Sequence, residues 1–249
     1  KVMLFYEFSY LFFFLPVSII LFFSSIYFKI DRKIILILLS IFFYSWWNIY
    51  YLPVIIFSIL TNYFFYKQII SSNFNSKKYL ISGIIVNISI LAIFKYADFI
   101  IFNINLILAT NIDYLNLPFP LAISFFTFQS IAFLVNVYDK EILNVKIKDF
   151  FLFVIFFPQL IAGPIVKYNY MMPQFNNNYN IIFNKKNFII GVFLLFIGLI
   201  KKVYFADTLS NFVDTSHEDI DNLTTLSTWL MTLSFTFQFY FDFSGYVDM

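Results

Sequence analysis

Long apolar runs separated by short charged segments are the feature of this sequence that most limits its fold. The runs extend over residues 8–28, 34–50, 51–70, 79–94, 119–138, 188–204 and 223–241. A helix rises about 1.5 Å per residue and the hydrocarbon core of a bilayer is about 30 Å thick, so each run is long enough, or nearly so, to cross it. The sequence therefore predicts an all-α, polytopic membrane protein.

The composition agrees with this fold class and excludes several kinds of chemistry. Hydrophobic residues make up 61% of the chain and charged residues 12%, whereas a soluble domain is about half apolar and about a quarter charged. The chain has no cysteine and one histidine, which excludes a disulfide, a thiol nucleophile and a cysteine or histidine-rich metal site within it. Its net charge of +2 comes from scattered lysines, so the sequence gives no indication of nucleic-acid binding.

The apolar runs predict one membrane-embedded domain over residues 1–249. Two further segments, at 99–108 and 150–166, are expected to be re-entrant or interfacial instead of spanning. The first is too short to cross a bilayer comfortably and is bounded by Lys95 and Asp98.

The second segment is interrupted by Pro158, Gln159, Gly163 and Pro164. Inside a bilayer, backbone groups freed by proline or glycine must be satisfied by protein or by a water-lined cavity. Residues 150–166 are therefore interpreted either as a re-entrant, broken helix or as an ordinary proline-kinked span.

The distribution of charge predicts which side of the membrane each connection faces. Lysine and arginine accumulate in short cytoplasmic loops, and the connections at 29–33, 67–78 and 140–148 are basic. This pattern places the N-terminus outside. Residues 207–222 are acidic, without lysine or arginine, and are predicted to be an outer loop. This position agrees with the number of spans only if residues 150–166 enter the membrane and return to the same side.

The last apolar run carries polar residues along one face. At about 100° per residue, the residues Ser234, Gln238, Asp242, Gly245 and Asp248 fall on a common stripe. Because a charge near the bilayer centre costs at least about 2.5 kcal/mol, this stripe is expected to face the protein interior or a channel. The alternative is that both acids lie at the inner water interface.

Three other titratable residues are candidates for a role: Lys201, Lys202 and His217. Lys201 and Lys202 end an apolar run on the predicted outer side, where their stems reach the headgroups or their ammonium groups pair with an interior acid. His217 lies among acidic residues without an apolar environment, and the sequence favours a solvated position over a general base.

Several stretches, taken in order, resemble the membrane-bound O-acyltransferase (MBOAT) family, in particular its alginate O-acetylase-like and peptidoglycan O-acetyltransferase-like bacterial branch. They comprise Met3-Leu-Phe with Phe12 to Pro16, Tyr44-Ser-Trp-Trp, Phe119 to Gln129, Phe157-Pro-Gln-Leu-Ile-Ala-Gly-Pro-Ile165, Gly198-Leu-Ile-Lys-Lys202 with Ala206-Asp207, and Tyr240-Phe-Asp-Phe-Ser-Gly-Tyr-Val-Asp-Met249. Each stretch is weak by itself, and the specificity comes from their order and spacing over the whole chain.

The resemblance implies an MBOAT-like helical bundle with a re-entrant segment near 150–166 and a central tunnel. It implies transfer of an acyl group, with acetyl favoured, from a thioester donor such as acetyl-CoA to hydroxyls of an extracytoplasmic polysaccharide or cell-wall glycan. No bound cofactor is expected. The implied location is the bacterial cytoplasmic (inner) membrane, and the implied partners are the lipid bilayer and a periplasmic or membrane-anchored acetylation protein.

The resemblance also gives candidate residues for the tunnel or substrate path, by motif only. They are Gln129, Pro158, Gln159, Gly163, Pro164, Gln238, Asp242, Ser244 and Tyr246. The family's catalytic histidine is expected downstream of the Asp242–Tyr246 motif, past Met249. No residue of the present sequence is thus assigned that role, and these residues are expected to be the inactive N-terminal portion of a longer protein.

Two other function classes fit parts of the pattern. Broken helices and polar stripes also build the substrate paths of transporters and channels, although no repeated pair of interrupted segments is visible. A third hypothesis is a non-catalytic, truncated membrane scaffold that docks an acetylation partner through its acidic residues 207–222.

Overall fold

The computed structural model describes residues 3–72, 74–161, 163–164, 166–176, 183–218 and 224–249. The helices are α1 Leu15–Tyr27, α2 Arg32–Asn48, α3 Leu52–Ser71, α4 Ser76–Leu108, α5 Ile123–Tyr138, α6 Ile147–Ile155, α7 Phe157–Leu160, α8 Tyr168–Asn176, α9 Lys185–Leu199, α10 Asp207–Glu218 and α11 Thr225–Asp248. The structure is 81% helical and the described residues contain no strand, which confirms the predicted all-α class.

Three helical runs within the described ranges are long and apolar enough to cross a membrane. They are Arg32–Ser71, Ser76–Leu108 and Lys185–Glu218, and shorter apolar helices cover Tyr10–Ser25 and Ile123–Tyr138. Large exposed apolar surfaces of this kind mark contact with lipid or with other protein. The protein is a multi-pass membrane protein.

The chain divides into two compact units. The first unit contains residues 24–161 and 166–176 among those described, and the second contains 3–23, 163–164, 183–218 and 224–249. The core of the first unit is aromatic: Phe126 and Phe150 are fully buried, and Phe133 packs on Phe150 with ring centroids 4.4 Å apart. The second unit is built from α9, α10 and α11 with the N-terminal segment.

The runs at 34–50 and 51–70 correspond closely to α2 and α3. Asp31 begins α2 by accepting a hydrogen bond from the Lys33 backbone N–H at 3.0 Å, and Asn48 caps the short 3₁₀ turn Ile49–Tyr51 between the helices. Side-chain oxygens at such positions satisfy amides that the helix leaves without partners.

The structure differs from the sequence prediction at 79–94 and 99–108, because α4 is one continuous helix from Ser76 to Leu108. The two charges that suggested a boundary have partners that keep them on a helix. The carboxylate of Asp98 accepts hydrogen bonds from the backbone N–H groups of Leu115 and Asn116, at 2.8 and 3.1 Å. The Lys95 ammonium lies 5.4 Å from the centroid of the Tyr96 ring.

The prediction of a loop over 207–222 is wrong for residues 207–218, which form α10. Val213 is buried on this helix while Asp214 and Glu218 are exposed. The acidic residues therefore occupy the outer face of an amphipathic helix. Residues 219–223 lie outside the described ranges.

Candidate functional site

In the first unit, the candidate site is the break between α6 and α7. The last regular bond of α6 runs from the Phe156 N–H to the Leu152 carbonyl at 3.0 Å. Phe156 then adopts φ −54° and ψ 109°, which is not helical, and Pro158 stands in the first turn of α7. The predicted interruption of the helix is thus present, and its return to the same side of the membrane stays a prediction.

The break leaves a carbonyl that two glutamine side chains bind. The Phe153 carbonyl accepts a hydrogen bond from Gln129 Nε2 at 2.9 Å and a longer one from Gln159 Nε2 at 3.4 Å. Gln129 comes from α5 and is buried, whereas Gln159 is half-buried. Two candidates from distant parts of the sequence therefore meet at one backbone atom.

The amide on the other side of the break binds Ser40 of α2. The Phe157 N–H donates to Ser40 Oγ at 3.1 Å, and that hydroxyl donates to the Leu36 carbonyl at 2.7 Å. Ser40 is fully buried, and the neighbouring Phe43 ring packs against the Phe157 ring with centroids 5.7 Å apart. The freed amide is satisfied by protein, as burial away from water requires.

Gly163 and Pro164 lie between α7 and α8, outside any helix, and they group with the second unit. The flanking residues Ala162 and Ile165 are outside the described ranges. A role for Gly163 and Pro164 in the wall of a substrate path stays a prediction.

In the second unit, the candidate site is the inner face of α11. Buried or half-buried residues recur three or four positions apart along it: Ser227, Met231, Ser234, Gln238, Phe241, Gly245 and Asp248. The opposite face exposes Trp229, Phe235 and Phe239. The inner face thus carries Ser234, Gln238, Gly245 and Asp248 of the predicted stripe together with the apolar Met231 and Phe241. Asp242 lies at the edge of this face with its side chain 54% exposed, and a channel along the stripe stays a prediction.

Two consecutive lysines pair with the acids of α11. Lys201 Nζ lies 2.5 Å from Asp248 Oδ2, and Lys202 Nζ lies 2.7 Å from Asp242 Oδ1 and 2.9 Å from Asp207 Oδ1. Both lysines belong to a π-helical segment, Ile200–Ala206, that joins α9 to α10. Short π-helical segments inside α-helices are frequent at functional sites. Of the two sequence interpretations, pairing with an acid is the one the structure contains.

The backbones of α9 and α11 approach closely at two glycines. A Cβ atom added to Gly198 would lie 2.6 Å from the Gly245 carbonyl oxygen, and one added to Gly245 would lie 2.9 Å from the Gly198 carbonyl oxygen. These distances are too short for any residue with a side chain. Glycine at both positions lets the helices come close enough for the lysine and aspartate side chains to pair.

The remaining candidates on α11 differ in their contacts. The Tyr246 ring stacks on the Phe5 ring with centroids 4.9 Å apart. Gln238 Oε1 and Ser244 Oγ are buried atoms with no hydrogen-bond partner among the described residues. Polar atoms in this state are able to accept or donate a hydrogen bond to a substrate or to a further part of the protein.

A second group of charges in the first unit joins the ends of three helices. Lys33 Nζ of α2 lies 2.6 Å from both Asp149 Oδ1 of α6 and Asn176 Oδ1 of α8. Nearby, the Lys148 ammonium binds Asp31, and this hydrogen bond is the largest cause that holds the pKa of Asp31 below its ordinary value.

The described residues hold hydrogen-bonding and charged groups but no group of three metal-ligating side chains. His217 lies exposed in the last turn of α10. These surroundings do not suit a buried general base, in agreement with the sequence interpretation. Each site, taken by itself, offers hydrogen-bonding or charged groups that position neighbouring backbone and side chains.

Sequence reasoning missed Ser40, the Phe153 carbonyl and Asp207 as members of these sites. Ser40 lies 117 positions from the amide that it binds, and a small hydroxyl residue inside an apolar run is ordinary. The one available signal for Asp207 was its place next to the Gly198–Lys202 motif.

Comparison with known proteins gives these features a family. Residues 136–249 match the model of MBOAT, the membrane-bound O-acyltransferase family. That matched range includes the break between α6 and α7 and the whole lysine and aspartate cluster of the second unit.

Relatives extend the similarity over most of the chain. The chain is 42% identical over 233 residues to the peptidoglycan O-acetyltransferase of Helicobacter pylori, covering 83% of this chain and 44% of that protein. It is 34% identical over 248 residues to the probable alginate O-acetylase AlgI of Pseudomonas syringae, covering 96% of this chain and 47% of the relative. The corresponding protein of Pseudomonas aeruginosa is 33% identical over 248 residues, 96% of this chain and 46% of that protein.

The chain thus spans about half the length of the curated relatives that it matches. The family match over 136–249 and the relatives that align with nearly all of the sequence lead to one assignment. The chain belongs to the membrane-bound O-acyltransferase family.

Proposed function

We propose that the whole protein transfers an acetyl group from a thioester donor such as acetyl-CoA to hydroxyls of an extracytoplasmic glycan. The observation that carries the proposal is the 42% identity to a protein named peptidoglycan O-acetyltransferase. The alginate O-acetylases are less similar, at 34% and 33% identity. The first acceptor to test is therefore peptidoglycan, and the second is an exported polysaccharide.

In this proposal each of the two units, taken by itself, contributes polar groups that bind the donor or the acceptor. In the first unit, protein groups satisfy the polar backbone at the break between α6 and α7. In the second unit, α11 presents Gln238 Oε1 and Ser244 Oγ, which have no hydrogen-bond partner within the part of the chain that the structure describes. An enclosed path helps acyl transfer because it excludes water that would hydrolyse the donor. The general base that takes the proton from the acceptor hydroxyl is expected in the rest of the protein.

The proposed location is the bacterial cytoplasmic membrane, with the N-terminus outside and the acyl donor supplied from the cytoplasm. The positive charges of the connections at 29–33, 67–78 and 140–148 support this orientation. Because the acetyl group is delivered to a glycan outside the membrane, we also propose a periplasmic or membrane-anchored acetylation protein as a partner.

The test is deletion of the natural gene followed by complementation with the full-length protein. Acetate released by mild base is measured separately from purified peptidoglycan and from exported polysaccharide. We expect loss of ester-bound acetate from peptidoglycan on deletion, its return on complementation, and a reduced return with Asp242→Asn, which removes the charge paired to Lys202.

Unchanged acetate in both polymers would contradict the proposal. A transporter is distinguished with the purified full-length protein in vesicles. Uptake of a solute without consumption of thioester would favour that second function class, because broken helices and polar stripes also form transport paths.

A further inference from the structure

We infer that Ser40 and Gln129 are positioning residues that select the broken conformation of the α6–α7 segment over a continuous helix that is only kinked at Pro158. The inference rests on the proposed function, in which this segment forms part of the wall of the substrate path. Ser40 binds the backbone on one side of the break, and Gln129 binds it on the other.

The reasoning starts from the pair of backbone groups that the break separates. In a continuous α-helix the N–H of residue i binds the carbonyl of residue i−4, so the Phe157 N–H would bind the Phe153 carbonyl. In this structure the Phe157 N–H donates to Ser40 Oγ at 3.1 Å, and the Phe153 carbonyl accepts from Gln129 Nε2 at 2.9 Å. The two side chains therefore compete with the continuous, proline-kinked helix for one donor and one acceptor.

Both side chains would lose a partner if the segment straightened. Ser40 is fully buried and Gln129 is 7% exposed, so water cannot replace the lost bonds. The Ser40 hydroxyl hydrogen is already committed to the Leu36 carbonyl at 2.7 Å, which turns a lone pair toward Phe157. The hydroxyl thus acts as an acceptor at this position, with its orientation fixed by its own helix.

The same arrangement leaves Gln159 exchangeable. Gln129 occupies the Phe153 carbonyl at 2.9 Å, while Gln159 reaches it only at 3.4 Å and is half-buried. A bond at that length is weak, so the amide of Gln159 can turn to a substrate without loss of the break. Ser40 and Gln129 hold the backbone at the break, whereas the side chain of Gln159 is the one that can exchange its hydrogen-bond partner.

The test compares Ser40→Ala and Gln129→Met with Ser130→Ala in the full-length protein in lipid nanodiscs. Ser130 provides a matched control because it is equally buried, adjoins Gln129 in sequence, and its hydroxyl has no partner among the described residues. Ser40→Cys, which keeps a weak acceptor of similar size, serves as the conservative variant.

Two readouts are combined. Hydrogen exchange of peptides covering residues 153–160 reports on the break itself. The ratio of donor hydrolysis to acetyl transfer reports on positioning, because loss of folded protein lowers both rates equally, whereas a displaced wall admits water to the donor.

We expect faster exchange confined to 153–160 and a ratio raised by about tenfold in Ser40→Ala and Gln129→Met, since small misplacements cost one to two orders of magnitude in rate. Ser40→Cys should lie nearer the wild type, and Ser130→Ala should match it. Unchanged local exchange would overturn the inference, and so would faster local exchange with an unchanged ratio. A wild-type protein that consumes no donor would instead remove the proposed function, and the exchange data would still decide whether the two side chains hold the break.

Discussion

Lys202 links α10 and α11 in the second unit. Its ammonium contacts carboxylates from two helices, Asp207 and Asp242, and lies 5.2 Å from the centroid of the Tyr6 ring. We expect Lys202→Met to destabilise the full-length protein by about 1–2 kcal/mol, between the values for exposed and for buried ion pairs, because the Lys202 side chain is 18% exposed and that of Asp242 is 54% exposed. Thermal unfolding in detergent measures this loss.

A double-mutant cycle separates the pair from the packing of the lysine stem. Lys202→Met combined with Asp242→Asn should cost less than the sum of the single changes, because the second change removes an acid left without its partner. Lys95→Met is the control, since Lys95 is exposed on α4. Strict additivity would show that the ion pair contributes nothing.

Asp31 gives a pH-dependent prediction outside the membrane spans. The hydrogen bond from Lys148 lowers its pKa, so its charge stabilises the fold above the ordinary value of about 3.9 and this contribution is lost as the pH falls through the lower, folded value. Asp31→Asn keeps a capping side chain for α2 but removes the charge.

We expect Asp31→Asn to lower the unfolding midpoint slightly at pH 7, by the equivalent of less than about 1 kcal/mol because the pair is partly exposed. The difference from the wild type should shrink on acidification below about pH 4. An equal difference at both pH values would assign the effect to capping instead of charge.

At the scale of the helices, the contact between Gly198 and Gly245 makes a sharp prediction. Gly198→Ala would place a methyl group 2.6 Å from the Gly245 carbonyl oxygen, which forces α9 and α11 apart. Overpacking of this kind costs about 1–3 kcal/mol. The measurement is thermal unfolding of the full-length protein, together with the acetylation assay.

Gly191→Ala is a matched control on the same helix, because a Cβ at that position meets nothing within 4 Å. It should be neutral or slightly stabilising, since alanine is the better helix former. Equal destabilisation by the two substitutions would refute the close-contact explanation.

The individual helices show which parts of the fold can be predicted from the sequence. Apolar runs gave α2 and α3 nearly to the residue, because burial in lipid acts on every position of a span. The apolar runs did not predict the bounds of α4 and α10, because charged residues that suggested a helix end have partners elsewhere in the structure. Asp98, for example, accepts hydrogen bonds from the backbone N–H groups of Leu115 and Asn116. Local periodicity contains no information about such partners.

The candidate site divides in the same way. The break near Pro158 and the polar face of α11 follow from residue types alone, since proline and charge are costly inside a bilayer. The groups that satisfy them could not be predicted, because Ser40 and Gln129 reach the break only through the packing of α2 and α5 on α6 and α7.

For the whole molecule, the testable statement is the membrane orientation. The chain has no cysteine, so single cysteines can be introduced into these residues without background. We expect Lys146→Cys and Lys167→Cys to react with an impermeant thiol reagent from the cytoplasmic side, and Glu218→Cys to react from outside, because basic connections stay in the cytoplasm.

All three positions are exposed. The control is labelling after permeabilisation, which should modify all three equally, and cysteines in the rest of the natural protein are first replaced. If cysteines at positions 146 and 167 react from opposite sides of the membrane, residues 150–166 cannot form a re-entrant segment.

The pairing of α11 with the lysines also bears on how the protein is made. α11 is not among the three helical runs that are apolar enough to span by themselves, and its acids would be costly in lipid without partners. Lys201 and Lys202 precede it in the chain, so the cations are already placed when the ribosome delivers Asp242 and Asp248. Insertion of α11 should therefore depend on the earlier run Lys185–Glu218, which carries both lysines. In a glycosylation-mapped insertion assay, α11 should enter the membrane poorly when translated alone and well when this run precedes it.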